Sequence, residues 1–235
     1  MNPTIVRLAL QALLGRRRGL LLLALPVVVI ALAVVIRLLT DPGVGYDVVN
    51  TLGFGLALPL VALLSASAVL GPEIDDGSIV YLLAKPVNRH VVGVSKYVVA
   101  VLATLVFGAL PILAAGLVID SGEPGEAFAW FLGGALAGIT YTALFLALAA
   151  TTRHAVVIGL LFVLLWEGLL GGLFTGIRWV SIGAWGRGLA AEVSSVADAP
   201  HTGVTYAVAA SAILVALAVW FTGDRLRSFS MRGET

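Results

Sequence analysis

The stretch LLLLALPVVVIALAVVIRLL, residues 20–39, decides the fold. Only Arg37 interrupts its apolar character, and at about 1.5 Å per residue a helix of this length crosses a hydrocarbon core roughly 30 Å thick. A signal peptide has a shorter apolar stretch and a small-residue cleavage site, so the run reads as a first anchor and not as a cleaved leader. Apolar and polar residues do not alternate in it, which sets it apart from the strand of a membrane barrel. Five further runs of the same kind follow at 48–70, 91–119, 128–150, 155–173 and 205–221. With 60% hydrophobic and 11% charged residues in 235, the apolar surface exceeds what a soluble core can absorb. Mean hydropathy is +1.07. The expectation is an all-α polytopic membrane protein, a single domain over 1–235 with six transmembrane helices embedded in a lipid bilayer.

Orientation follows from the basic residues, because short cytoplasmic connections retain Lys and Arg. A chain that starts inside places Arg7, Arg16, Arg17, Arg18, Lys85, Arg89, Lys96, Arg153, Arg225, Arg227 and Arg232 on the cytoplasmic side. Only Arg37, Arg178 and Arg187 then lie outside. Both termini are therefore expected in the cytoplasm, and the chain in the cytoplasmic membrane.

Ahead of the first span, residues 1–18 read as an amphipathic helix lying in the membrane interface. Asn2 can cap it, Pro3 suits its first position, and Thr4, Arg7, Gln11 and Arg18 share one stripe against Ile5, Leu8, Ala9, Ala12 and Leu13. A plain basic flank obeying the charge rule is the simpler alternative. On the opposite side, Gly171 to His201 interleaves glycines with Trp179 and Trp185. Glycine breaks helices and tryptophan favours the headgroup level, so this segment is expected to dip into the outer leaflet as short re-entrant helices.

Several function classes are excluded by what the chain lacks. Without cysteine there is no disulfide, thiolate metal site or cysteine nucleophile. His90, His154 and His201 are scattered over different connections, no H-E-x-x-H occurs, and there is no phosphate loop ending in Lys-Ser or Lys-Thr and no G-x-S-x-G elbow. The chain is thus expected not to be an enzyme and to hold no metal or cofactor of its own. A net charge of +1 without a basic face argues against nucleic acid.

The most informative connection joins spans two and three: GPEIDDGSIVYLLAKPVNRHVVGVSK, residues 71–96. Gly71 and Pro72 are expected to end span two and open a short helix over 72–86. Glu73, Asp75 and Asp76 in its first turns complement the helix dipole. Ile79, Leu82 and Leu83 then form a compact apolar face, Pro86 stops the helix, and Asn88 can cap span three. An acidic start and an apolar face held between prolines suit a docking surface for a cytoplasmic partner; a plain turn with solvated charges is the alternative.

The string Glu73, Asp76-Gly77-Ser78, Leu82-Leu83, Pro86-Val87, Arg89 and Lys96 resembles the loop of ABC-2-type transporter permeases, where an acidic residue, E/D-G-T/S, L-L, P-V/I-S/N-R and a downstream Lys recur. Ser78 stands where Thr is common and keeps the hydroxyl. The resemblance extends to the interface helix, the six spans and the glycine-rich external segment. It implies a permease subunit of an exporter that pairs with a second permease, taken as a homodimer. The ABC ATPase subunits, which bind ATP and Mg, would dock on the loop as a coupling helix. Glu73, Asp75, Asp76, Gly77, Ser78, Ile79, Leu82, Leu83, Pro86, Arg89 and Lys96 are then the candidate coupling residues. An ion-coupled carrier or channel is the competing class, but it would place several ionisable groups near the midplane on broken helices.

Within the spans, Trp166 and Glu167 look like the W-E pair of such permeases. Glu167 is the sole carboxylate within the six expected spans, about 18 Å beyond Ala155 at helical rise. Its burial costs roughly 2.5 kcal/mol or more and asks for a named partner: Arg178, Arg187 or a helix N-terminus in the external segment. Pinning that segment and gating are the two roles open to it. Arg37 and Asp41 read as snorkelling or solvated residues. Gly53, Gly55 and Pro59 permit close packing and a kink, with no function assigned.

Overall fold

The computed structural model describes residues 13, 15–39, 47, 49–75, 89–120, 122–171, 174–194 and 202–231. Among them there is no strand. Helix α1 is Arg16–Leu39; π-helical turns Val49–Ala57 lead into α2, Leu58–Asp75. Helix α3, Arg89–Thr104, passes through a π segment, Leu105–Ala109, into α4, Leu110–Ile119. Helix α5 is Pro124–Thr151. Helix α6, Ala155–Leu161, continues as a π segment, Phe162–Leu170. A 3-10 turn, Thr175–Val180, precedes α7, Ile182–Val193, and α8 is Val204–Met231.

Among the described residues, five helical stretches are long and apolar enough to cross a membrane: Gly19–Leu39, Asn50–Leu70, His90–Ile119, Pro124–Thr151 and Val204–Leu226. Ala155–Leu170, within the fifth expected span, is shorter, reaching about 24 Å at helical rise. Of the expected interface helix, residues 1–12 and 14 lie outside the described residues. Leu13 is helical and buried against Leu22, Val61, Ala68 and Val69.

Two of the three π segments are followed by a proline at the second position of the next helix, Pro59 and Pro111. Proline gives no N–H to the preceding turn and its ring crowds the carbonyl four residues back, so a widened turn relieves both. Helix α2 behaves differently from expectation, because it does not stop at Gly71 and Pro72 but runs on to Asp75. A proline inside a helix removes one ladder bond, here to the Ala68 carbonyl, and the rest of the ladder can continue.

Helix α5 is the centre of the bundle and packs against α2, α4, α7 and α8. Its buried positions include Gly133, Gly134, Ala137, Gly138, Tyr141, Thr142 and Phe145. Small residues let backbones approach closely, which is how helices gain packing energy when lipid offers no hydrophobic penalty. By contrast, only 17% of the apolar window of α1 or α8 is buried, so these two stand at the periphery. The core closes with Phe54 edge-on to Trp130 at 5.2 Å and Tyr141 stacked on Phe145 at 5.9 Å.

Candidate functional site

Helix α7 begins at a cap. Ser181 has extended backbone, and its Oγ accepts from the Ala184 N–H at 3.0 Å, satisfying one of the first-turn donors. The following glycines are forced by proximity to α5. A Cβ on Gly186 would sit 2.7 Å from the Gly133 carbonyl oxygen and 2.9 Å from the Ala137 Cβ, and one on Gly133 would overlap the Gly186 carbonyl. No other residue permits that contact.

Both ends of α7 are clasped by buried carboxylates. At the N-terminus the Ser181 Oγ donates to Glu167 Oε2 at 2.5 Å, and the Ile182 N–H donates to Oε1 at 2.9 Å. The carboxylate therefore sits on the positive end of the helix dipole. At the C-terminus, Ser194 donates to Glu126 Oε2. The N-terminal clasp is deep: Tyr141, beside it, lies about 25 Å along α5 from Pro124 at helical rise. Helix α7 thus runs alongside α5 from mid-bundle back toward the start of α5.

Around Gly183 the polar groups converge. Its Cβ position is 3.1 Å from the Tyr141 hydroxyl, 3.2 Å from Glu167 Oε2 and 3.4 Å from Arg187 Nη1. The Tyr141 hydroxyl, the Glu167 carboxylate and the Arg187 guanidinium thus meet at one glycine. An aromatic column, Tyr141, Phe145, Phe162 and Trp166, connects this cluster to α6 and leaves Trp166 stacked on Phe162 at 6.3 Å. Of the three partners considered for Glu167, the helix N-terminus donates to it directly and Arg187 stands nearby; Arg178 lies in the last turn of the 3-10 segment.

Two cations join neighbouring spans. Arg37 is exposed but held: its Nη1 donates to the Val118 carbonyl at 2.9 Å and the Ile119 carbonyl at 2.7 Å. These are last-turn carbonyls of α4, which have no intrahelical donors and attract positive charge. Lys96, 2% exposed, donates from Nζ to the Val69 carbonyl on α2 at 2.8 Å. Farther along the same helix, Thr104 pairs with Thr142 at 2.9 Å inside the bundle.

Glu73 and Asp75 fall in the last turn of α2, and Arg89 opens α3. Asp76, Gly77, Ser78, Ile79, Leu82, Leu83 and Pro86 lie outside the described residues, as does the rest of the expected coupling helix.

The chain matches the family model of the ABC-2 family transporter protein over residues 16–168, more than half its length. It belongs to the ABC-2 transporter family. No individual curated protein matches it. The matched interval of this ABC-2 family member contains the whole connection from Glu73 to Lys96 and ends just past Glu167. The family places it among multi-pass membrane transporters, as the permease that associates with an ATPase subunit.

Glu126 is a polar anchor with no place in the sequence reading, and Arg37, read there as snorkelling or solvated, is a second. Hydropathy draws the start of span four at Phe128, yet Pro124 at a first helical position and Glu126 in the first turn are the signals of an earlier start. For Arg37 no local signal exists, since its partners are more than eighty residues away.

Proposed function

We propose that this chain is the permease subunit of an ABC exporter. It couples ATP hydrolysis in a separate ATPase to movement of a substrate across the cytoplasmic membrane. The observation that carries the reading is the family match across 16–168, because that interval includes the connection between α2 and α3. In this reading the chain has six spans, with Ala155–Leu170 and the residues after it completing the fifth, and both termini face the cytoplasm. Two copies form the membrane part, and the ATPases carry ATP and Mg. The acidic helix over 72–86, with Leu82 and Leu83 on its apolar face, seats in a groove of the ATPase. Helix α7, held in mid-bundle by Glu167, is the re-entrant piece of the outer leaflet, and the role of Glu167 is architectural. The support for that role is that both carboxylate oxygens are engaged in holding α7.

Co-purification of the tagged chain from native membranes tests the reading. An ATPase is expected to accompany the wild type and to be lost from Leu82→Asp with Leu83→Asp. Unchanged association in the double variant removes the docking helix, and absence of any ATPase from the wild type removes the reading as a whole.

A further inference from the structure

The connection between α2 and α3 has two roots, Asp75 and Arg89. Lys96 sits seven residues past Arg89, about 10 Å into the bundle, and Val69 sits six residues before Asp75, about 9 Å in. The bond between Lys96 Nζ and the Val69 carbonyl therefore fastens the two helices at nearly equal depth behind both roots. Lys96 is 2% exposed, so burial removes it from any surface that a partner could touch.

Three features make this bond more than packing. A buried ammonium is costly to part from its acceptor, so the contact resists separation in a way that apolar contacts do not. Apolar neighbours are non-directional and let helices slide: Leu13, Val69, Val99 and Ala100 form such a cluster around the same place. A hydrogen bond to one carbonyl fixes the register. The acceptor also lies beside a gap in the α2 ladder, because Pro72 has no N–H for the neighbouring Ala68 carbonyl.

We propose that Lys96 is a positioning residue that locks the two roots of the connection together, so that displacement of the loop moves α2 and α3 as one lever. This deepens the coupling role proposed above and rests on it. Lys96 then belongs to transmission and not to docking.

The chain has no cysteine, so a single Thr51→Cys is its one thiol and reports on the far end of the α2 span when labelling is read on the separated chain. Thr51 is exposed. In the complex with the ATPase, reconstituted in lipid nanodiscs, thiol labelling at this site is compared with and without ATP. In Lys96→Met the ATPase is expected to bind and hydrolyse ATP, while the ATP-induced change in labelling falls at least about tenfold, and Lys96→Arg restores it. An undiminished change in Lys96→Met overturns the proposal. So does a wild-type complex that hydrolyses ATP with no change at all, and so does loss of ATPase binding in Lys96→Met, which would make Lys96 a docking residue. Should Lys96→Met fail to fold, Lys96→Gln is judged by the same three outcomes. Failure of the coupling reading is distinguishable, because there the ATPase is absent from the wild type or survives Leu82→Asp with Leu83→Asp.

Discussion

Replacing Glu167 by Ala tests what holds α7 in place. The wild-type carboxylate accepts from Ser181 Oγ at 2.5 Å and from the Ile182 N–H at 2.9 Å. Hydrogen bonds to a charged group contribute about 1.5–3 kcal/mol each. The two share one carboxylate and are not additive, so their combined loss is taken at the lower sum, about 3 kcal/mol. Ser181 keeps its bond from Ala184, but the buried Ile182 N–H loses its acceptor. Since about 1.4 kcal/mol is tenfold, the open population of α7 should rise on the order of 100-fold. Amide hydrogen exchange over residues 182–193 in nanodiscs reads this directly, because buried amides exchange through local opening. Glu167→Gln should cost tenfold or less: its amide oxygen still accepts from Ile182, and its NH2 can donate to Ser181. Unchanged protection of α7 in Glu167→Ala would refute the clasp. Normal assembly and normal α7 protection in Glu167→Gln, with transport lost, would instead give Glu167 a direct part in transport.

Gly186→Ala should destabilise by about 1–3 kcal/mol, as overpacking does, because its Cβ would meet the Gly133 carbonyl oxygen at 2.7 Å. Thermal unfolding measures it, and Gly176→Ala, whose Cβ has nothing within 4 Å, is the control that should be far milder. Arg37→Met removes donors from the Val118 and Ile119 carbonyls, and with one of the bonds exposed the loss should be about 1–2 kcal/mol by unfolding. A shift as small as that of the control would mean that water caps those carbonyls equally well.

Much of the architecture is legible along the chain. The runs at 20–39, 48–70, 91–119 and 205–221 fall on helices that can cross a membrane, since length and apolarity are local properties. Glu167 is conspicuous for the same reason, because one carboxylate in an apolar run needs a partner wherever that partner is. The end of α2 was misjudged at Gly71 and Pro72: local signals favour a stop there, but the ladder survives the loss of one bond. Lys96 counts in the sequence among the cytoplasmic basic residues and the candidate coupling residues, and nothing local shows that α2 passes close enough to bury it.

By itself the sequence determined that the chain is helical and has several runs long and apolar enough to cross a membrane, and residues 16–168 carry the match to the ABC-2 family. The tertiary structure alone decided which end of which helix each polar group holds: Glu167 and Glu126 at the two ends of α7, Arg37 on α4, Lys96 on α2. The reason is physical. In a chain whose spans are almost uniformly apolar, lipid tails compete equally with side chains, so hydrophobic periodicity gives a helix no address. Partners are chosen instead by close backbone contact, as at Gly133 and Gly186, and by a few buried bonds between residues far apart in the chain.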